Sequence, residues 1–295
     1  MKFLITGASG LLGSKFVTIA LASGHEVHSV VHEHSARDAH PHKLDITDQA
    51  AVKKTIADNS PEVVIHAASI TDLDLCERNP ELAYKVNAAA TGFLADACQS
   101  QGGFLIYLST DYVFDGDRGN YRERDQVNPV NVYGRSKLLG EEEVVQKAGR
   151  FCIARTSVVF GWGRKFRPNF ATWVYDKLRV GEKINVVTDQ YATPTLSNDL
   201  ARMLVEVAER RMNGVYHLSG STRVNRYEFA VQLAHKFSLN EKLLTPVTMD
   251  AVRWIAKRPF DSSLNVAKAY EALNNKPNTL NEALDEFAAE AHPGM

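Results

Sequence analysis

The chain is poor in cysteine. Its three, Cys76, Cys98 and Cys152, form no C-x-x-C pair. A sparse, odd set argues against a disulfide scaffold and fits reduced thiols in a cytoplasmic setting. No apolar run is long enough to span a bilayer as a helix. The N-terminus enters Lys2-Phe3-Leu4-Ile5 and a glycine loop without the layout of a signal peptide. The net charge of −1 removes any general electrostatic case for nucleic acid or an anionic membrane. Repeats and low-complexity segments are also lacking. What remains is 295 residues with 44% hydrophobic and 23% charged content. That suffices for a substantial core in one large domain or two small ones.

Lys2 to Thr6 reads as a short buried strand. Gly7-Ala8-Ser9-Gly10-Leu11-Leu12-Gly13 follows, then a helix to about Ala22. Strand, glycine loop and helix in that order suit a dinucleotide. Backbone approaches a pyrophosphate where side chains are missing, at the positive end of a helix. Gly7, Ser9, Gly10, Leu11, Leu12 and Gly13 are therefore candidate cofactor contacts. The spacing is G-x-x-G-x-x-G, and glycine also serves plain turns. Glu26 to Val31 reads as a second strand. An acid near its end often meets the cofactor ribose. Here stand His32-Glu33-His34 and then Arg37. Glu33 suits the ribose hydroxyl of NAD, whereas Arg37 with His32 suits the 2′-phosphate of NADP. The balance tips slightly to NADP(H) over NAD(H). Six of the ten histidines lie between His25 and His42. Their spacing fits no standard metal-ligand pattern, so a solvated loop is expected and no metal site. Asp45 and Ile46 fall where adenine contacts are expected, and Thr47 is a candidate cap for the next helix. Val63-Val64-Ile65 reads as a strand. Ala67, Ala68 and Ser69 at its end are small enough to admit a flat cofactor. Pro80 to Gln99 has helical periodicity, with Pro80 in the first turn.

The stretch from Leu105 to Glu143 organises the rest. Phe104 to Leu108 reads as a strand and runs into Ser109-Thr110-Asp111-Tyr112-Val113. Strand ends in open α/β sheets are where ligands bind. Asn131-Val132-Tyr133-Gly134-Arg135-Ser136-Lys137 opens a helix. Tyr133 and Lys137, four apart, share one face of it. A lysine cation lowers the pKa of a nearby phenol, and a hydroxyl from Thr110 can bond the same reacting oxygen. Such a set suits protonation of a carbonyl oxygen while hydride reaches carbon. A Tyr-x-x-x-Lys pair alone is common on surface helices. With the glycine loop and the strand-end hydroxyl added, the functional reading leads.

Phe151 to Thr156 is a further strand. Strands alternating with helices predict a parallel, doubly wound α/β sheet. Beyond Phe160 the pattern changes. Gly161-Trp162-Gly163-Arg164-Lys165-Phe166-Arg167-Pro168 is a basic, aromatic loop, suited to closing over a diphosphate or simply to solvent. Helices are expected over Asn169–Arg179, Ser197–Arg210 and Asn225–Phe237, with Asn225 as a cap. Val215 to Leu218 is strand-like, and Asp261 to Ala288 holds two short helices.

These runs, with Arg155-Thr156-Ser157-Val158-Val159-Phe160-Gly161 and Asp189-Gln190-Tyr191-Ala192-Thr193-Pro194-Thr195, resemble the extended short-chain dehydrogenase/reductases over nearly the whole chain. Within that family they resemble the dTDP-4-dehydrorhamnose reductase branch. The resemblance implies a Rossmann domain over residues 1–160, rejoined by a segment near 193–215. It implies a smaller, mainly substrate-binding domain over 161–295. It implies Thr110, Tyr133 and Lys137 as the catalytic set, acting on the C4 keto group of a nucleotide-linked 4-keto-6-deoxy sugar. Lys137 would also hold the nicotinamide ribose, and Thr110 would bond the C4 oxygen. Thr71, Asp111, Val113, Trp162 and Gln190 fall at expected substrate contacts. A homodimer is compatible with this family.

There are departures and neighbours to weigh. Many relatives carry tyrosine then threonine where Ile70-Thr71 stands, so a sugar contact changes there. Dehydratases place an acidic pair after the strand-end threonine, but Asp111 is followed by Tyr112. Epimerase–reductases that make activated fucose place a cysteine where Asp111 stands. A 4-epimerase needs only the same triad and stays open. So does a cofactor-binding regulatory role, like that of the regulatory subunit of methionine adenosyltransferase.

Overall fold

The computed structural model describes residues 1–31, 40–163 and 168–291. Seven parallel strands form one sheet. They are β1 (Lys2–Thr6), β2 (Glu26–Val31), β3 (His40–Lys43), β4 (Val63–His66), β5 (Phe104–Thr110), β6 (Phe151–Thr156) and the edge strand Gly214–His217. Their spatial order is β3-β2-β1-β4-β5-β6 and then the edge strand. Chain order reverses between β1 and β4, and crevices form at such reversals outside the carboxyl ends of the strands. β1, β4 and β5 are almost wholly buried on both faces, which explains their unbroken apolar character.

Helices cover both faces. One layer holds α1 (Leu11–Ala22); the other holds α2 (Gln49–Asn59). Then come α3 (Leu73–Arg78), α4 (Pro80–Tyr84), α5 (Ala90–Ser100) and α6 (Val132–Lys147). Thr47 is not the cap of α2. Asp48 accepts from the Ala51 N–H, while Thr47 donates its N–H and its hydroxyl to Asp45. An Asx turn at Asp45 has taken the threonine, and the next carboxylate caps instead. The helical run from Pro80 contains a π-turn at Lys85–Ala89 between α4 and α5. One wider turn barely disturbs an apolar periodicity, so the sequence reads straight through it.

Past β6 the chain forms α7 (Phe170–Arg179), α8 (Ser197–Glu209), α9 (Arg226–Lys236), α10 (Ala267–Ala272) and α11 (Leu280–Ala289). Asn169 and Asn225 start α7 and α9 with reciprocal capping boxes. α8 lies against α1, and α10 against the edge strand Gly214–His217. A separate apolar cluster joins Val174, Leu178, Phe229, Leu233, Leu284 and Phe287 from α7, α9 and α11. Trp162 belongs to it. Its ring stacks on Phe287 at 4.3 Å, and its Nε1 donates to the Phe287 carbonyl at 2.7 Å.

Glycine is obligatory where the first turn closes. A Cβ at Gly13 would stand 2.1 Å from the Gly7 carbonyl oxygen and 2.8 Å from Ala8 Cα. Both obstacles are backbone, so nothing can swing aside. Gly13→Ala is expected to cost about 3 kcal/mol, the upper part of the overpacking range. Urea unfolding checks this, and an unchanged midpoint would mean that the loop yields freely.

Candidate active site

The site lies at the carboxyl ends of β1, β4 and β5. Gly7 leaves β1 at φ +72°, so the chain turns sharply there. The Gly10 N–H donates to the Gly7 carbonyl at 3.0 Å, and α1 begins. No acid occupies the first turn of α1, so its positive end is uncompensated. The end of β4 lies alongside: a Cβ on Gly7 would come within 2.9 Å of Ala68 N. Ser9, Leu11, Leu12, Ala67 and Ser69 are half-buried around this cradle, and Gly10 is open. Such a cradle accepts a diphosphate. Asp45 is exposed beyond β3, and Ile46 packs on the apolar layer under α2. His32, Glu33 and Arg37 lie outside the described residues, as does the basic run Arg164 to Arg167.

A buried polar chain locks the two strand ends together. The Ala68 N–H donates to Thr6 Oγ1 at 3.2 Å, Thr6 Oγ1 meets His66 Nδ1 at 2.8 Å, and His66 Nε2 meets Thr91 Oγ1 at 3.0 Å. Thr91 spends its own proton on the Asn87 carbonyl. It must therefore accept from His66 Nε2–H, which leaves Nδ1 to accept from Thr6. Burial lowers the His66 pKa to about 3, so a neutral ring is the consistent state. Asn87, on the π-turn, exchanges two hydrogen bonds with the Ile70 backbone and donates to Ser136 Oγ. No local pattern marks His66 or Asn87 in the sequence. Both act through partners far along the chain.

Helix α6 is set down directly on the end of β5. Asn131 caps it by accepting from the Gly134 N–H at 2.8 Å, and its amide donates to the Lys257 carbonyl. A Cβ at Gly134 would lie 2.1 Å from the Tyr112 carbonyl oxygen. That contact explains the glycine between Tyr133 and Lys137. Tyr133, Lys137 and Glu141 share one face by their four-residue spacing. Lys137 is buried with Nζ 4.1 Å from the centre of the Tyr107 ring. Burial lowers its pKa to about 7, against the opposing pull of Glu141. Glu141 is itself clamped by Arg155 at 2.9 and 2.6 Å and by the Ser109 hydroxyl at 2.5 Å.

Burial raises the Tyr133 phenol well above its ordinary value, although a hydrogen bond with Thr110 works the other way. This corrects the expected depression by Lys137. Desolvation dominates, so the phenol is raised rather than lowered. Structure thus joins Tyr133 to Thr110, with Lys137 one turn along the same helix.

The expected substrate contacts separate. Asp111 is buried and bonded to Thr110, Ser157 and Ser262. Gln190 donates to the Tyr112 hydroxyl at 2.9 Å and accepts from Arg226 Nε at 3.3 Å. Thr71 is exposed. Val113 departs from the sugar-facing expectation. It is fully buried with Phe114, Tyr121 and Leu264, because the short helical turn after β5 rotates it inward. Trp162 has one ring face taken by Phe287 in the C-terminal cluster. Two arginines not singled out from the sequence come near Tyr112. Arg226 starts α9 beside Tyr112 and Asp111, and Arg258 bonds Asp74 at 2.9 Å. Burial pushes the Arg226 pKa down, and Arg258 adds to the effect, so the two guanidinium groups share one corner.

A family profile described as the RmlD substrate binding domain matches residues 1–292. The dTDP-4-dehydrorhamnose reductase of Aggregatibacter actinomycetemcomitans is 33% identical, covering 98% of this chain and 99% of its own length. Methionine adenosyltransferase 2 subunit beta of Xenopus laevis is 35% identical, covering 90% of this chain and 81% of its own. The crystal structure of dTDP-4-dehydrorhamnose reductase from Bacillus anthracis, solved in complex with NADP, superposes with a TM-score of 0.89. It is 29% identical and covers 98% of this chain and 99% of that one. With its parallel seven-stranded sheet and its whole-length match, the chain belongs to the RmlD substrate binding domain family of extended short-chain dehydrogenase/reductases.

Proposed function

We propose that this protein is an NAD(P)H-dependent reductase of the C4 keto group of a nucleotide-linked 4-keto-6-deoxy sugar, converting dTDP-4-dehydro-L-rhamnose to dTDP-L-rhamnose. One observation carries the reading: Thr110 at the carboxyl end of β5 lies close enough to act on the Tyr133 phenol, with buried Lys137 four residues along the same helix. Reduced nicotinamide supplies the hydride when bound. Gly7, Ser9 to Gly13 and Ala67 to Ser69 cradle its dinucleotide. Tyr133 gives the proton to the C4 oxygen, and a phenol kept protonated by burial suits that task. Lys137 holds the nicotinamide ribose. Arg226 and Arg258 meet the substrate diphosphate, for which paired guanidinium groups are suited. Thr71 and Gln190 border the sugar.

Residues 1–160, with a return near 193–215, form the cofactor half; residues 161–295 form mainly the substrate half. The separate apolar cluster of α7, α9 and α11 supports that division. NADP is the preferred cofactor, on the strength of Arg37 and of the relative solved with NADP. A cytoplasmic setting agrees with three buried, free thiols. The chain also matches a regulatory subunit at similar identity, but over 90% of its length and 81% of the relative rather than 98% and 99% for the reductase. The assembled Thr110, Tyr133 and Lys137 favour turnover.

The test is oxidation of NADPH and of NADH with dTDP-4-dehydro-6-deoxy-L-mannose. Rapid oxidation with dTDP-L-rhamnose as product is expected, faster with NADPH. Cofactor binding without oxidation would redirect the search to other 4-keto sugars and then to a regulatory role.

A further inference from the structure

Three segments close a triangle at the start of α6, and a side chain makes each side of it. Asp74 of α3 accepts from Arg258 Nη2 at 2.9 Å and from the Ala256 N–H at 3.2 Å. Glu77, three residues on in the same helix, accepts from the Val132 N–H at 2.8 Å. Asn131 closes the figure. Its Oδ1 accepts from the Gly134 N–H at 2.8 Å, and its Nδ2 donates to the Lys257 carbonyl at 2.8 Å. α3 follows the end of β4 and its small residues, α6 carries Tyr133 and Lys137, and the third segment carries Arg258.

The Asn131 amide has one consistent orientation. Its oxygen must meet the helix N–H, and its nitrogen must meet the carbonyl. The residue is 1% exposed, so neither partner is shared with bulk water. Capping alone asks for no donor, and Ser or Asp serves as well at a helix start. The donor half of the amide is therefore spent on Lys257. The segment it holds is irregular: residues 253–260 run without helix or strand. Its position comes from side contacts. Arg258 is anchored by Asp74 and lies over the Trp254 ring at 5.1 Å. Beyond it, the Asp261 N–H donates to the Gly116 carbonyl at 2.9 Å, and the Ser262 hydroxyl donates to Asp111. The Lys257 tether sits among these anchors, next to Arg258 in the chain.

We infer that Asn131 is a positioning residue: its amide caps the helix of Tyr133 and, through the Lys257 carbonyl, sets Arg258 for the substrate diphosphate. This rests on the reductase reading for the ligand of Arg258. One side chain thereby links the proton donor to the group that grips the far end of the substrate. A diphosphate docked on Arg258 brings the keto carbon to Tyr133 in register. Without the tether the segment shifts, the guanidinium meets the diphosphate less squarely, and the keto carbon is misplaced.

A double-mutant cycle tests it, read by calorimetric titration with dTDP. Asn131→Ser keeps a capping oxygen and is too short to reach Lys257. Asn131→Asp keeps both the cap and the length, and has no proton to donate there. Each is expected to bind dTDP ~10-fold more weakly, with NADPH affinity within ~2-fold of wild type. The urea midpoint should move little, because the cap survives. Arg258→Met should weaken dTDP by ~30-fold or more, and adding Asn131→Ser to it should cost less than ~2-fold further, since both act through one contact. With the 4-keto sugar nucleotide, Asn131→Ser should raise KM by ~10-fold and lower kcat as well. Unchanged dTDP affinity in the two Asn131 variants would overturn the inference. So would losses that multiply in the double variant, or equal losses of dTDP and NADPH affinity, which mark general loosening. Wild-type protein that binds no dTDP would overturn it too. Wild-type protein that binds dTDP but turns over no 4-keto sugar nucleotide would defeat the reductase reading, and the cycle would still decide the role of Asn131.

Discussion

Tyr133→Phe is expected to lower turnover of the 4-keto sugar nucleotide by ~10²–10⁴-fold, the range of a lost general acid. Cofactor affinity should stay within ~3-fold, because the phenol oxygen is all that disappears. The ring would keep its edge-on contact with Tyr112, whose centroid is 6.0 Å away. The direction of the Tyr133 shift sharpens the expectation. In the free protein burial pushes the phenol pKa up, which favours the protonated form, the donor for reduction. The same shift makes it a poor base for the reverse oxidation, which needs the phenolate. Single-turnover absorbance of the reduced cofactor, with its fluorescence for affinity, separates the two effects. A near-normal rate in the variant would assign the proton to another group, with Thr110 next in line. Equal losses of rate and cofactor affinity would instead make Tyr133 a binding residue.

The sequence carried the local parts of this site well. Gly7 to Gly13 mark a turn that backbone contacts make obligatory, and the Tyr133–Lys137 spacing places two groups on one helix face whatever surrounds it. Burial from the opposite side was less legible. Lys137 reads as a cation that tunes Tyr133, but its depression to about 7 comes from the apolar enclosure around it. Val113 alternates outward only if the strand continues; the 3₁₀ turn at Asp111–Val113 reverses that. Arg226 and Arg258 reach the neighbourhood of Tyr112 from the last third of the chain. Nothing near either residue announces Tyr112 or Asp111 as a neighbour. Asn87 is hidden for a similar reason, since its partners Ile70 and Ser136 lie 17 and 49 residues away. Periodicity records how an element faces its own layer. It does not record which distant backbone an amide will reach.

Glu141→Gln should have the largest effect on stability, about 3–5 kcal/mol, as for a buried ion pair broken on one side. Glu141 and Arg155 expose only 5% and 6% of their side chains. The carboxylate takes both Arg155 contacts and the Ser109 hydroxyl, and an amide can supply only one acceptor to that fork. Against a total stability of ~5–15 kcal/mol, such a loss is severe. Arg155→Met in the same chain should recover much of it, because no charge is then left buried alone. Urea unfolding of the single and double variants measures both. A double variant no better than the single would show that the site cannot repack without its charges. A second consequence concerns Lys137, one turn away. Its pKa is about 7 when folded, against an ordinary 10.5. Between those values the unfolded chain binds more protons, so stability contributed by this group rises with pH across that window. Removing Glu141 takes away the one influence that raises the Lys137 pKa, so the window opens at a lower pH. The charged fraction of Lys137 at neutrality then falls. In the double variant, folded but lacking Glu141, the alkaline limb of kcat/KM is therefore expected to move toward acid. A limb that stays in place would separate Lys137 from Glu141 and leave the buried pair a purely structural clamp between α6 and β6.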